Sequence, residues 1–264
     1  MQPLLNIAVR AARRAGDLIV RSLNRAPTLE ARQKSRNDFV TEVDQRAEQE
    51  IITTIRRTHP DHAFLAEESG RSGTGDFVWI VDPLDGTTNF LHGFPQFAVS
   101  LALEIRGRLE HGVIYDPMRQ ELYTASRGDG AQLDGRRIRV SRAQGLEGSL
   151  VATGFPYRAN VKYLDAYLEM LRTVMQRTAG IRRPGSAALD LAYVAAGRVD
   201  AFWEIGLSPW DTAAGTLLIT EAGGLVTTLS GGEYRQAGHI VAGTPRVHAQ
   251  MLEALAPHVP AELV

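Results

Sequence analysis

The chain of 264 residues is 44% hydrophobic and 22% charged, a composition typical of a globular protein with a well-buried core. It contains no cysteine, which excludes disulfides, thiolate metal ligands and cysteine nucleophiles, so any metal must be bound by oxygen or imidazole. The formal net charge of −1 argues against a surface adapted throughout to nucleic acid.

The N-terminal segment has the pattern of an amphipathic helix. Residues 4–22 place apolar side chains at helical spacing and arginines on the other faces. Neither this segment nor any later one contains an uninterrupted apolar stretch long enough for a signal core or a membrane span. We therefore expect a cytoplasmic protein that does not contact a membrane.

A second helix and a series of strands are predicted next. The helix begins at Thr41 and stops before Pro60. The strands that follow lie at about 62–66, 77–81, 97–105, 110–115 and 121–125. Residues 97–125 have the pattern of antiparallel strands, and Asp134-Gly135-Arg136 is expected to form a hairpin or loop.

Helices and strands alternate in the second half of the chain. Helices are predicted at about 160–176, 186–196, 210–222 and 245–256, and strands at 178–183, 199–204, 224–228 and 239–242. This interleaving predicts an α/β or α+β layered architecture. We expect one compact unit, residues 1–264, with two lobes that divide near residues 145–150.

The most informative segment is residues 79–90, where a hydrophobic strand runs into two aspartates. Pro83 restricts the backbone between Asp82 and Asp85, so both carboxylates can turn toward one point. Converging carboxylate oxygens suit Mg²⁺, which is commonly shared with substrate phosphate. For residues 82–85 alone, an Asp-rich turn explains the sequence equally well.

The residues after Asp85 indicate phosphate binding. Gly86 allows the backbone to come close to a ligand. Thr87 and Thr88 then offer N–H groups and hydroxyls to phosphate oxygens.

Three further acidic residues lie where apolar elements begin or end. Glu67 ends a predicted strand, Asp211 lies in the first turn of a predicted helix, and Asp44 follows Thr41 by three residues. Each has a structural alternative: a solvated strand end for Glu67, a helix cap for Asp211, and a capping box with Thr41 for Asp44. Singly, none of them indicates a function.

Together the motifs resemble the inositol monophosphatase family, over essentially the whole chain. The resemblance is carried by the segments at residues 67–69, 82–90, 210–215 and 221–224. Residues 4–13, 37–41 and 185–192 are similar to a bacterial branch of that family.

The resemblance implies an αβαβα sandwich, a homodimer, lithium inhibition and two to three Mg²⁺ ions per subunit. It implies metal ligation by Glu67, Asp82, the carbonyl of Leu84, Asp85 and Asp211, with Asp44 near a third, weaker metal. It implies substrate contacts from Asp85, Gly86, Thr87, Gly185, Ser186, Ala187, Glu204 and Asp211.

The resulting hypothesis is a Mg²⁺-dependent phosphomonoesterase that hydrolyses inositol 1-phosphate and related polyol phosphates. Glu67, Thr87 and Asp82 are the expected catalytic residues. A metal bridged by Glu67 and Asp82 is expected to activate a water for in-line attack on phosphorus, while Glu67 and Thr87 orient that water. A second metal is expected to stabilise the leaving oxygen.

Other substrates fit the same motifs. Bisphosphate nucleotidases, fructose bisphosphatases and histidinol phosphatases share them, so the motifs specify the reaction better than the substrate. The compact chain and Glu204 favour a monophosphatase. No two histidines have the His-x-x-x-His spacing of paired zinc ligands, which argues against a zinc site.

A function of another class stays open. Proteins of the bacterial branch are linked to ribosomal RNA transcription, so a partner of RNA polymerase or of antitermination factors is a second hypothesis. Arg136-Arg137, Arg182-Arg183 and the arginines of the first helix could make such contacts. Solvated arginine-rich faces explain the same residues without a partner.

Overall fold

The computed structural model describes residues 3–23, 32–35, 38–156 and 158–263, so Asn37 of the block at 37–41 lies outside the described residues. The helices are α1 (Pro3–Ser22), α2 (Glu42–Arg56), α3 (Thr87–Leu91), α4 (Leu164–Arg177), α5 (Ala187–Ala195), α6 (Pro209–Glu221) and α7 (Pro245–Leu255). Short 3-10 helices lie at Arg158–Tyr163, Ala256–His258 and Ala261–Leu263.

The strands form three sheets. They are β1 (Arg32–Ser35), β2 (Asp38–Val40), β3 (Ala63–Ala66), β4 (Gly70–Ser72), β5 (Phe77–Asp85), β6 (Ala98–Ile105), β7 (Arg108–Asp116), β8 (Glu121–Ser126), β9 (Gly130–Leu133), β10 (Arg136–Arg137), β11 (Leu150–Thr153), β12 (Gly180–Arg182), β13 (Ala201–Leu207), β14 (Leu225–Thr227) and β15 (Gly238–Gly243). The first pair, β1–β2, stands alone. An eight-stranded sheet has the order β10-β9-β8-β7-β6-β5-β3-β4, and a five-stranded sheet has the order β12-β11-β13-β15-β14.

Helices cover both faces of both large sheets. The outer face of the eight-stranded sheet packs against α1 and α2 through a core that includes Ala11, Ile51 and Trp79. The outer face of the five-stranded sheet packs against α4 and α7. Between the sheets lie α5 and α6, whose apolar residues contact both of them.

Successive side chains of one strand belong to the cores on opposite faces of its sheet. On β13, Phe202 belongs to the central core and Trp203 to the outer core, since successive side chains point to opposite faces. The resulting order of layers is helix, sheet, helix, sheet, helix. The predicted αβαβα sandwich is therefore confirmed. The division into two lobes near residues 145–150 stays a prediction.

The predicted helices and the central strands are present, with ends that differ by a few residues. The predicted helix at 160–176 begins as the 3-10 turn Arg158–Tyr163 and becomes α-helical at Leu164. The predictions omit β1, β2, β4, β9, β11 and α3, which have at most five residues each. Such short elements carry too few residues for a periodic pattern, and long-range pairing decides them. None of the helices within the described residues combines the length and the apolar character that crossing a bilayer requires.

The two central helices pack closely at Gly215 of α6. A Cβ at this position would lie 2.5 Å from Cβ of Leu191 on α5. Only glycine therefore allows the observed approach of the two helices, and the N-terminal ends of both helices carry site residues.

We expect Gly215→Val to destabilise the protein by about 1–3 kcal/mol, because it overpacks the contact between α5 and α6. For a chain of this size, each kcal/mol lowers the melting temperature by about 2–4 °C. Gly180→Val is the control, since a Cβ there meets no atom closer than 3.5 Å. Equal melting temperatures for the two variants, measured by circular dichroism, would contradict the packing argument.

Candidate active site

A β-bulge in β5 brings Asp82 and Asp85 to the same side of the sheet. In a regular strand, residues three apart point to opposite faces. Here Asp82 pairs with Ser100 and Asp85 pairs with Ala98, so three steps on β5 oppose two steps on β6. The extra residue of the bulge restores a common direction for the two carboxylates.

The third carboxylate of the cluster comes from α6. Asp211 closes a capping box, and its Oδ2 accepts a hydrogen bond from the Ser208 N–H over 2.6 Å. Ligand oxygens of Asp82, Asp85 and Asp211 all lie within 4.8 Å of one another. The capping explanation for Asp211 and its place in the acidic cluster therefore both hold.

The N-terminal end of α5 fixes Asp85. Its Oδ2 accepts hydrogen bonds from the Ser186 hydroxyl over 2.6 Å and from the Ala188 N–H over 2.8 Å. The loop before α5 is joined to the motif by Asn89, whose amide donates to the carbonyls of Gln96, Pro184 and Gly185. Hydrogen bonds thus join the two distant segments at the site.

Thr87 is held by a residue of α2. Its hydroxyl lies 2.8 Å from Oδ1 of Asp44 and 3.1 Å from the carbonyl of Leu84. The other oxygen of Asp44 accepts hydrogen bonds from the N–H and the hydroxyl of Thr41, in the predicted capping box. Asp44 therefore lies behind Thr87, and its part in holding a third metal stays a prediction.

Gly86 occupies a conformation that favours glycine. Its φ is 97°, and a Cβ would lie 2.9 Å from the carbonyl oxygen of Gln96. The residue is the N-cap of the short helix α3. Gly86 and Thr87 line the same cavity as the carboxylate cluster.

One cavity of about 240 Å³ contains these groups. All of the site residues predicted from the sequence line it except Asp44: Glu67, Asp82, Leu84, Asp85, Gly86, Thr87, Gly185, Ser186, Ala187, Glu204 and Asp211. The structure brings them together, and the roles assigned to them stay predictions.

The cavity wall also includes residues that the sequence motifs do not place at this site, among them Arg183, which from the sequence could contact a partner. These are Phe155, Asn160, Arg183 and Asp190. Arg183 stacks over the Phe155 ring, with Cζ 4.9 Å from the ring centre. Asp190 is 1% exposed, and its Oδ1 has no hydrogen-bond partner among the described residues. In the sequence, only the apolar neighbours on both sides of Asp190 indicate that it is buried.

Glu204 reaches the cavity from β13. A Cβ at Gly154 would overlap the Glu204 carboxyl, so the glycine provides the space for this side chain. Burial, followed by the charge of Asp211, raises the pKa of Glu204 to about 8.

The cluster concentrates negative charge in a partly buried volume, in which Asp82 is buried and Asp85 and Asp211 are half-buried. Burial raises the pKa of Asp82 well above its ordinary value, and the charges of Glu67, Asp85 and Asp211 raise it further. Burial raises the pKa of Asp85 to about 6 against the lowering effect of its bonds to Ser186 and Ala188. Of the described residues that line the cavity, Arg183 alone is cationic.

A model of the Inositol monophosphatase family matches residues 1–261. The chain belongs to the inositol monophosphatase family. The "Nus factor SuhB" of Pseudomonas aeruginosa is 56% identical over 269 residues, which cover 100% of this chain and 99% of that protein.

Solved structures of this family share the fold. The extragenic suppressor protein suhB from Bartonella henselae matches with a TM-score of 0.94 and 45% identity, over 98% of this chain and 100% of that one. An inositol monophosphatase from Anabaena (Nostoc) matches with a TM-score of 0.86 and 40% identity, over 98% of this chain and 97% of that one. Membership of the inositol monophosphatase family supports a phosphatase.

The donor set of this family member fits a hard cation. Buried carboxylates are costly unless they are paired or bind a metal. Asp82, Asp85 and Asp211 offer oxygen ligands within 4.8 Å of one another, and oxygen is the ligand that Mg²⁺ prefers. The residues present therefore fit the metal dependence that is general in the family.

We expect Glu204→Gln to change how the stability of the metal-free protein depends on pH. The pKa of Glu204 rises from 4.5 to about 8 on folding, so the folded state binds the extra proton between these values. The stability that this group contributes is present below pH 4.5 and is lost as the pH rises toward 8, by about 1.4 kcal/mol per pH unit. Glutamine removes this loss.

Urea unfolding in EDTA at pH 5, 6, 7 and 8 measures the effect. The free energy of unfolding of Glu204→Gln, relative to wild type, is expected to increase with pH. Glu169→Gln is the control, because Glu169 is exposed on α4 and does not line the cavity. A pH-independent difference for Glu204→Gln would show that burial does not raise this pKa.

Proposed function

We propose that the protein is a Mg²⁺-dependent phosphomonoesterase that hydrolyses inositol 1-phosphate and related polyol phosphates. The observation that carries the proposal is the cluster of Asp82, Asp85 and Asp211 beside the Gly86-Thr87 turn, all lining one cavity. The family to which the chain belongs supports the same reaction.

The proposed metal ligands are Glu67, Asp82, the carbonyl of Leu84, Asp85 and Asp211, with Asp44 near a third ion. Two to three Mg²⁺ ions per subunit are proposed. When bound, Mg²⁺ makes a water more acidic and neutralises charge on the phosphate. The lithium inhibition, the homodimer and the cytoplasmic location stay predictions of the family resemblance.

The chain's own groups orient the attacking water. The Thr87 hydroxyl lies 2.8 Å from Asp44 Oδ1, and when it donates its proton there its lone pairs are free to accept a hydrogen bond from the water. Glu67 lines the same cavity and takes the proton of that water. Asp44 thus keeps the Thr87 hydroxyl in the orientation that accepts a hydrogen bond from the attacking water.

Different groups of the protein bind the phosphate and the polyol parts of the substrate. The N–H groups of Gly86 and Thr87, at the beginning of α3, bind the phosphate. Glu204 and the N-terminal end of α5, from Gly185 to Ala187, bind the hydroxyls of the polyol. Through its carboxyl oxygens, Glu204 accepts hydrogen bonds from neighbouring hydroxyls of the polyol.

We expect Asp211→Asn to lower the rate on inositol 1-phosphate by at least about a hundredfold, because it removes a charge that holds the metal. The fold should remain, since asparagine still accepts the hydrogen bond from the Ser208 N–H. Asp165→Asn, in the first turn of α4, is the matched control and should keep the wild-type rate.

The assay covers inositol 1-phosphate, 3'-phosphoadenosine 5'-phosphate, fructose 1,6-bisphosphate and histidinol phosphate, with Mg²⁺ and with or without Li⁺. The wild-type protein is expected to prefer inositol 1-phosphate. A strong preference for 3'-phosphoadenosine 5'-phosphate would instead indicate a bisphosphate nucleotidase. A wild-type rate for Asp211→Asn at saturating Mg²⁺ would contradict the metal assignment.

We also propose a second function, binding to RNA polymerase or antitermination factors. It is supported by the 56% identity to a protein named "Nus factor SuhB" over the whole chain. Arg136 and Arg137 on β10 and Arg182 on β12 are exposed and available to an acidic partner.

We expect Asp82→Ala to lose phosphatase activity and to bind these partners as wild type does. The reason is that Asp82 is 1% exposed, far too buried to contact a protein partner. Pull-down of purified RNA polymerase and Nus factors at physiological salt measures the binding. Absence of binding by the wild-type protein would contradict the second function. Loss of binding in Asp82→Ala alone would show that the two functions depend on the same site.

A further inference from the structure

A second carboxylate of α2, that of Glu48, contacts the backbone next to Glu67. Glu48 is 3% exposed. Its Oε2 accepts a hydrogen bond from the Glu68 N–H over 2.8 Å, and its Oε1 accepts one from the Ser69 N–H over 2.9 Å. Both oxygens of this buried carboxylate are thereby satisfied by backbone donors.

These two N–H groups belong to the residues that directly follow Glu67. The N–H of Glu67 itself donates to the carbonyl of Val81 over 3.1 Å. The backbone is therefore tied to β5 at Glu67 and to α2 immediately after it. Because Val81 precedes Asp82, the same bonds fix the position of Glu67 relative to Asp82.

The spacing on α2 connects this contact with the one at Thr87. Asp44 and Glu48 are four residues apart, so they lie on one face of the helix. Asp44 lies 2.8 Å from the Thr87 hydroxyl, while Glu48 holds the turn after Glu67. A single helix face thus supports both of the groups that are proposed to orient the water.

We propose that Glu48 is a positioning residue, which holds Glu67 in place by binding the N–H groups of Glu68 and Ser69. Glu48 is not among the described residues that line the cavity, so it acts through Glu67 and does not touch the substrate. The inference rests on the proposed function, because it concerns the same site.

Glu48→Gln tests the proposal with little change in shape. A carboxamide offers one oxygen and one NH₂ group, so one of the two backbone N–H groups then faces a donor. Changes to residues that orient metal ligands typically weaken metal binding or activity by about 10- to 100-fold. We expect the dissociation constant for Mn²⁺, measured by calorimetry on the metal-free protein, to rise by about tenfold or more. We also expect kcat to fall more than KM rises.

The control is Glu50→Gln on the same helix. Glu50 pairs with Arg14 at the surface, away from the Glu67 turn, and its substitution should leave Mn²⁺ binding unchanged. If Glu48 has only a structural role, Glu48→Gln lowers the melting temperature but binds Mn²⁺ as wild type does, and the proposal is overturned.

A double-mutant cycle with Glu67→Gln identifies the route of the effect. If Glu48 acts through Glu67, Glu48→Gln weakens Mn²⁺ binding by no more than about twofold in the Glu67→Gln background. If the two substitutions weaken Mn²⁺ binding independently, so that their fold-effects multiply in the double variant, the proposal is overturned. A wild-type protein that binds no Mn²⁺ would overturn the proposed metal site itself, which distinguishes that failure from a failure of the role of Glu48.

Discussion

The site depends on the cost of placing several carboxylates together in a small volume shielded from water. Asp82 is 1% exposed and shares its surroundings with Asp85, Asp211 and Glu67, each of which raises its pKa. Such a group is stable when its charges are neutralised by protons or by a bound cation. The same property that makes the metal-free cluster costly makes it a site for a hard divalent cation.

The scaffold compensates part of this cost with backbone donors. Asp85 is bound by the N-terminal end of α5, Asp211 by its own helix terminus and Asp44 by the first turn of α2. Helix N-termini carry partial positive charge and favour anions. Close packing of α5 and α6 at Gly215 brings two of these termini to the same cavity. The central helix layer is therefore both core and electrostatic support.

Much of the site could be predicted from the sequence, because its motifs are local. Asp82, Asp85 and Gly86 lie in one short segment, and the family resemblance linked them to Glu67 and Asp211. The bulge in β5 could not be predicted, since it depends on the register with β6. Asp190 and Glu48 were also missed, because burial of an acidic residue in a helix is decided by tertiary packing. Glu221 belongs to a motif of the resemblance, yet its carboxylate accepts hydrogen bonds from the N–H of Gly128, in the turn before β9, and from the N–H of Gly130, the first residue of β9.

Anomalous X-ray scattering from crystals grown with Mn²⁺ shows directly whether the clustered carboxylates form a metal site. We expect an anomalous peak among the carboxylate oxygens of Asp82, Asp85 and Asp211 and a second one next to Glu67. Crystals of the Asp82→Asn protein should lose both peaks. A structure at high Mn²⁺ with no anomalous peak in this cavity would show that these carboxylates do not form a metal site.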